Sequence, residues 1–161
     1  MAFSISLAEE SDVDLLYELT VALAVYEKKT PDEIFVTAAK LRKWGFGPKK
    51  VFSALVARLD DKPVGLAVYY FGFSGYMGEP ILYLEDLFIL PEFRKRGFGG
   101  QMLKHLSQMA FDQECCRVQW AVFDWNEDAI AFYRSIGAQL RPDLIQVRLD
   151  SSQPPTSTTN A

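Results

Sequence analysis

Metal ligands and thiols are scarce in this chain, and their scarcity excludes several chemistries together. There is one histidine, and the two cysteines, Cys115 and Cys116, are neighbours, a spacing that rarely reaches disulfide geometry. With so few ligands no zinc site is expected, and both cysteines read as reduced and structural. His105 has no serine or cysteine nucleophile motif beside it and reads as a surface or hydrogen-bonded residue. No apolar run approaches the roughly 18 residues a membrane span needs, and residues 1–4 lack the basic start of a signal peptide, so the expectation is a cytoplasmic protein. Positive charge is also in deficit. The net charge of −4 predicts no attraction to nucleic acid or to an anionic membrane, and it suits a cationic partner.

What is present fits one domain. Hydrophobic residues make up 49% and aromatics 14% of 161 residues, enough to bury a core without covalent staples. Residues 2–7 alternate as a strand, and Ser11 is placed to cap a helix over 12–28 that carries Leu16, Leu19 and Leu23 on its apolar side. Thr30, Pro31 and the acids after them predict a second helix, ending near Trp44 and Gly45. Residues 52–59 and 64–71 read as a hairpin around the turn 60–63. The stretch 72–80, with three glycines and two aromatics, reads either as a substrate flap or as a longer hairpin loop. An apolar strand over 81–90, a helix over 97–111, a strand over 118–123, a helix over 126–136 stopped by Gly137, and a strand over 144–149 complete the series. The polar tail 151–161 is expected to be disordered, leaving residues 1–150 as a single α/β domain with a mixed sheet.

The chain is organised around residues 83–106. An apolar strand passes through Arg94, Lys95, Arg96, Gly97, Gly99 and Gly100 into an amphipathic helix. Such a turn aims backbone N–H groups and a helix N-terminus at one spot, and the basic side chains add charge-assisted contacts to a diphosphate there. A Walker loop is excluded, because the Gly-Lys-Ser/Thr order is missing. The mid-chain position and the glycine offsets exclude the dinucleotide fingerprint as well.

The pattern Arg94-x-x-Gly97-x-Gly99 after an apolar strand resembles the acetyl-CoA motif of the GNAT superfamily of N-acetyltransferases. Residues 83–88, 103–108, 125–133 and 137–138, with Tyr26, Glu27 and residues 68–71, are similar to the diamine (spermidine/spermine) acetyltransferase group, which includes thialysine acetyltransferases. The resemblance implies a GNAT-type α/β fold with a mixed, mostly antiparallel central sheet flanked by helices and splayed at its central strands. It implies that backbone groups of Leu87, Phe88 and Ile89 pair with the pantetheine arm of acetyl-CoA, and that residues 95–100, Phe98 included, hold the pyrophosphate. Asn126 would hold the cofactor from the other side, a role compatible with capping a helix.

Further roles follow from the same resemblance. Tyr133 would be the general acid for the departing CoA sulfur; a phenol near pKa 10 protonating a thiolate near 8.5 goes uphill by only about 2 kcal/mol. Glu85 would be the base. Direct transfer from an ammonium near 10.4 to an ordinary carboxylate near 4.3 is uphill by about 8 kcal/mol, so Glu85 either has help or mainly binds the substrate cation. Asp86, next in the strand, is expected on the opposite face as a structural hydrogen-bond hub. Glu27 and Asp124 would add negative charge, and Tyr26, Tyr69 and Tyr76 would shape the channel. Residues 72–77 lack the acid and the tryptophan associated with polyamine acetyltransferases. That departure favours a shorter diamine, a thialysine-like amino acid or another small amine over spermidine and spermine. The expected protein is an acetyl-CoA-dependent, metal-independent enzyme acting on a small cationic amine, and a homodimer. A peptide or protein amine as acceptor and a non-catalytic acyl-CoA-binding module are the alternatives.

Overall fold

The computed structural model describes residues 1–151, so all of the expected tail beyond Ser151 lies outside the described residues. Five strands stand in sequence order across one sheet, β1 (Phe3–Leu7), β2 (Ser53–Leu59), β3 (Lys62–Ser74), β4 (Glu79–Ile89) and β5 (Val118–Gln119). Neighbours pair antiparallel except β4 with β5, which run parallel. The chain divides into two compact units, Met1–Ala121 and the residues from Val122 onward. The first holds the sheet and three helices; the second holds one helix.

In the first unit, α1 (Val13–Tyr26) and α2 (Ala38–Gly45) cover one face of the sheet. Leu16, Leu19 and Leu23 of α1 pack there with Ala54, Val56, Leu66 and Phe88. α3 (Phe98–Asp112) lies against β4, and its buried Met102, Leu103 and Leu106 form no part of that cluster, so they cover the other face. Two layers of helix thus enclose a sheet whose central stretch, Ala54–Ala57 of β2 and Val64–Ala67 of β3, is buried, as the near-continuous apolar sequence there requires.

Local chemistry moves several expected boundaries. Ser11 does not cap α1: Glu9 and Asp12 form a reciprocal capping box around a 3-10 turn, Glu10–Asp12, that leads into the helix. Thr30 and Glu33 likewise satisfy each other around a 3-10 turn, Pro31–Glu33, and the chain then turns extended at Ile34. The branched side chains of Ile34, Val36 and Thr37 disfavour helix there. Helix resumes only after Thr37, whose Oγ accepts the Lys40 N–H at 3.1 Å. The stretch 72–80 is not a flap. β3 and β4 stay paired to Ser74↔Glu79, and the turn closes with the Gly78 N–H donating to Ser74 O at 2.8 Å. Gly78 adopts φ +68° in it, a conformation that costs glycine little. The strand expected over 118–123 pairs for two residues only, and 144–149, expected as a strand, has no ladder partner among the described residues and stays exposed.

β3 and β4 approach closely at Gly65. A Cβ there would fall 2.4 Å from Phe88 O and 2.6 Å from Ile89 Cδ1. Gly65→Ala therefore has to push two strands apart, and a loss of about 2–3 kcal/mol is expected. The measurement is the urea midpoint at unchanged m-value; an unshifted midpoint contradicts the packing described.

Candidate active site

A register break at Glu85 shapes the site. Val68 pairs with Asp86 and Tyr69 with Leu84, so Glu85 is the extra residue of a β-bulge in β4 and has no ladder partner. On the far side of the break, Tyr70 pairs with Tyr83. Val68 packs with α1 in the cluster described above, which fixes Asp86, Tyr70 and Tyr83 on the α1 face. The bulge rotates Glu85 to that face too, where its charge acts on both tyrosines and on Asp86.

Asp86 is thus neither opposite Glu85 nor a hydrogen-bond hub. Strict alternation holds only in an unbroken ladder, and no side-chain hydrogen bond to Asp86 is found among the described residues. Burial first, then the charges of Glu85 and Glu27, push its carboxyl up to about 7. Glu27, directly after α1, is half-buried, and its carboxyl is raised by burial, opposed by Lys29 and reinforced by Glu85. Three acids therefore meet at one end of the α1 face, as expected for Glu27 and Glu85 but not for Asp86. Among the described residues no group of three such side chains is placed to hold a metal ion.

The rings are also redistributed. Tyr69 is buried on the opposite face, edge-on to Phe71 at 6.0 Å, and Tyr76 stands in solvent at the hairpin tip. Only Tyr26 of the three expected aromatics joins the acids. Tyr70 and Tyr83, which sequence reasoning passed over, stack at 5.1 Å beside Glu85. Two successive acids inside an apolar strand were the available signal that alternation fails here.

Beyond the bulge, β4 opens. Its ladder with β5 ends at Tyr83↔Gln119, so the edge over Leu84–Ile89 has no strand partner among the described residues. This is the splay expected of the central strands, and it leaves the edge carrying Leu87, Phe88 and Ile89 able to accept an extended chain as a further strand.

The turn after β4 meets the requirement for an anion cradle. Lys95 and Gly97 both adopt left-handed backbone, φ 57° and 81°, the alternation that lines up N–H groups in a concave nest. The first helical bond of α3 runs from the Gln101 N–H to Gly97 O, so the N–H groups of Phe98, Gly99 and Gly100 are outside the helix's own pattern. Space above Gly97 and Gly100 is open within 4 Å of an added Cβ. Phe98 itself is buried, stacked on Phe3 at 4.4 Å, and anchors the helix start. The flanking arginines fold back onto rings. Arg94 lies 4.0 Å above Tyr26 and 5.4 Å from Phe88, with Nε donating to Ile89 O at 2.9 Å. Arg96 sits over Phe98 at 5.1 Å, and Lys95 is exposed.

In the second unit α4 (Glu127–Ser135) starts at Asn126, whose Oδ1 accepts the Ala129 N–H at 3.3 Å. Tyr133 is half-buried on this helix, 5.5 Å from Phe132. Asp124 lies exposed in the turn before it, and Gly137, at φ +84°, follows its end.

An open-edged mixed sheet whose exposed strand runs into a glycine cradle at the N-terminus of a helix is the architecture of an acyltransferase. The profile of the Acetyltransferase (GNAT) family matches residues 14–138, and the chain belongs to that family. It is an acetyltransferase, and acetyl-CoA is the family's acetyl donor. It is 36% identical over 140 residues to the thialysine N-epsilon-acetyltransferase of Bos taurus, covering 82% of this chain and 81% of that one. It is 37% identical to spermidine/spermine N(1)-acetyltransferase-like protein 1 of Homo sapiens, over 84% of this chain and 20% of that longer one. An integron cassette protein from the mobile metagenome of V. cholerae has the same fold, with a TM-score of 0.77 at 25% identity and 94% of each chain covered. Among the described residues no helix is long and apolar enough to cross a membrane.

The raised carboxyl of Asp86 makes stability depend on pH. Folding keeps a proton on it that the unfolded chain has already released, so this contribution falls as pH rises from about 4 to about 7. Asp86→Asn removes the penalty: a gain of about 1–3 kcal/mol is expected at pH 8 and a smaller one at pH 5. Denaturant titrations at the two pH values check this. Equal gains at both contradict a buried titrating carboxyl.

Proposed function

We propose that the chain acetylates the primary amine of a small cation, a thialysine-like amino acid or short diamine, by direct attack in a ternary complex with acetyl-CoA. The observation that carries the reading is the bulge at Glu85, which turns Glu85 to the face of β4 that carries Asp86 and Tyr83, where Glu27 and Tyr70 also lie. An ammonium is the complement of such a pocket, and the first relative above is named for a thialysine acceptor.

In this reading residues 95–100 and Asn126 hold the cofactor, with Arg94 supporting the turn through Tyr26. Leu87, Phe88 and Ile89 present backbone groups to the pantetheine arm. Glu27, Glu85 and Asp124 attract the amine. The attacking nitrogen must be neutral, and Asp86 offers a better proton acceptor than an ordinary carboxylate: a transfer from an amine near 10.4 to a group at about 7 is uphill by about 5 kcal/mol, against about 8 for the ordinary group. Glu85, which faces both, binds the cation and passes or takes the proton. Tyr133 protonates the leaving sulfur. Residues 1–150 serve as one N-acetyltransferase domain, in a homodimer in the cytoplasm.

The test is CoA release with acetyl-CoA and a panel of thialysine, lysine, putrescine, spermidine, spermine and a peptide, run beside Tyr133→Phe. Turnover on a small amine that falls at least about tenfold in the variant, about 1.4 kcal/mol of barrier, is expected. The rate should rise with pH through the neutral range as the amine loses its proton. Tight acetyl-CoA binding with no turnover on any small amine overturns the acceptor assignment.

A further inference from the structure

The guanidinium of Arg94 is held from three directions. Its Nε donates to Ile89 O at 2.9 Å, its central carbon lies 4.0 Å over the Tyr26 ring, and the Phe88 ring stands 5.4 Å from it. A planar guanidinium can meet a ring with its face while it bonds through its edge, so the contacts are made together. Phe88 and Ile89 belong to β4, the strand that leads into the turn, whereas Tyr26 is the last residue of α1. That ring is itself seated: it is half-buried, packs against the core cluster beneath α1, and lies 6.2 Å from Phe88.

What the seat secures is the turn. The Nε bond ties Arg94 back to the last residue of β4 across the 3-10 turn Pro91–Phe93. Directly after it Lys95 adopts φ 57°, a left-handed conformation that a residue with a Cβ disfavours and that persists only where its surroundings hold it. Gly97, at φ 81°, then opens α3. We propose that Tyr26 is a positioning residue for acetyl-CoA: its ring seats Arg94, and Arg94 so held fixes the turn 95–100 in the shape that receives the diphosphate. This rests on the reading of residues 95–100 as the cofactor cradle. The cation that the Tyr26 ring meets is supplied by the chain itself, so the ring serves the cofactor while the acids beside it serve the amine.

The experiment is calorimetric titration of CoA, with no amine present, into the parent, Tyr26→Leu, Tyr26→Phe and Arg94→Lys, each first checked for folding by its urea midpoint. Tyr26→Leu removes the ring and is expected to weaken CoA about five- to tenfold, whereas Tyr26→Phe keeps the ring and stays within about twofold of the parent. Arg94→Lys keeps the charge but cannot stack and bond at once, so it is expected to lose as much as Tyr26→Leu. Combining Tyr26→Leu with Arg94→Lys should cost no more than either alone, because both break one contact. In turnover with S-(2-aminoethyl)cysteine, Tyr26→Leu should raise the KM for acetyl-CoA and leave that for the amine within about twofold. Parent-like CoA binding by a folded Tyr26→Leu, or a rise in the amine KM alone, overturns the positioning role and leaves the cradle standing. Should Tyr26→Leu not fold, Arg94→Lys decides: an affinity equal to the parent's means that charge without the seat suffices, and the role is overturned. If the parent itself does not bind CoA, the cradle reading fails and the role of Tyr26 fails with it.

Discussion

One register slip organises the site. Because strand side chains alternate strictly, two adjacent acids in an intact β4 would fall on opposite faces, one among the α1 residues and one under α3. The bulge cancels that alternation at Glu85 and brings both carboxylates to one face. It can exist because the rest of the β3–β4 ladder is long, pairing from Gly65↔Ile89 to Ser74↔Glu79, so one unpaired residue is absorbed without unzipping the sheet. The cost appears in Asp86, whose carboxyl is pushed up to about 7 by burial first and then by the charges of Glu85 and Glu27.

The same strand carries the opposite electrostatic task a few residues on. β4 ends at Ile89, and the left-handed Lys95 and Gly97 turn the chain into α3 with its N–H groups outward. Backbone dipoles supply much of the attraction for an anion here, which is why Arg94 and Arg96 can lie folded on rings while the turn still suits a diphosphate. Their cationic faces rest on Tyr26 and Phe98, so they stiffen the turn as well as charge it.

The parts of this arrangement set by local chemistry were legible in the sequence. Helix α3 and its glycine turn, the β2–β3 hairpin, the Asn126 cap and the stop at Gly137 each follow from a few neighbouring residues. The family resemblance was legible for the same reason, since its motif is contiguous. What failed needed information from a second element. The helix expected from Thr30 was cut short because a capping box can close a single 3-10 turn as well as open a helix. Of the two readings left open for 72–80 the hairpin holds, because pairing outlasts the glycines to Ser74↔Glu79. Tyr70 and Tyr83 escaped notice because their position beside Glu85 depends on where the bulge falls, and a bulge is a property of two strands.

Arg94 stands at the boundary between the two ends of this strand. A cluster of acids adjoining an anion cradle would weaken both, since the charge of each repels the ligand of the other over distances of about a Debye length, roughly 8–10 Å. The guanidinium of Arg94 lies over Tyr26, the residue before Glu27, and over Phe88, two residues after Asp86, and its Nε is bonded to Ile89 O. A fixed cation therefore stands where the acids give way to the glycines. Held there, its charge lies next to the turn whose N–H groups form the positive end of α3. Its motif position thus stiffens the turn through Tyr26 and Ile89, which an uncharged residue of the same shape could pack into but not bond.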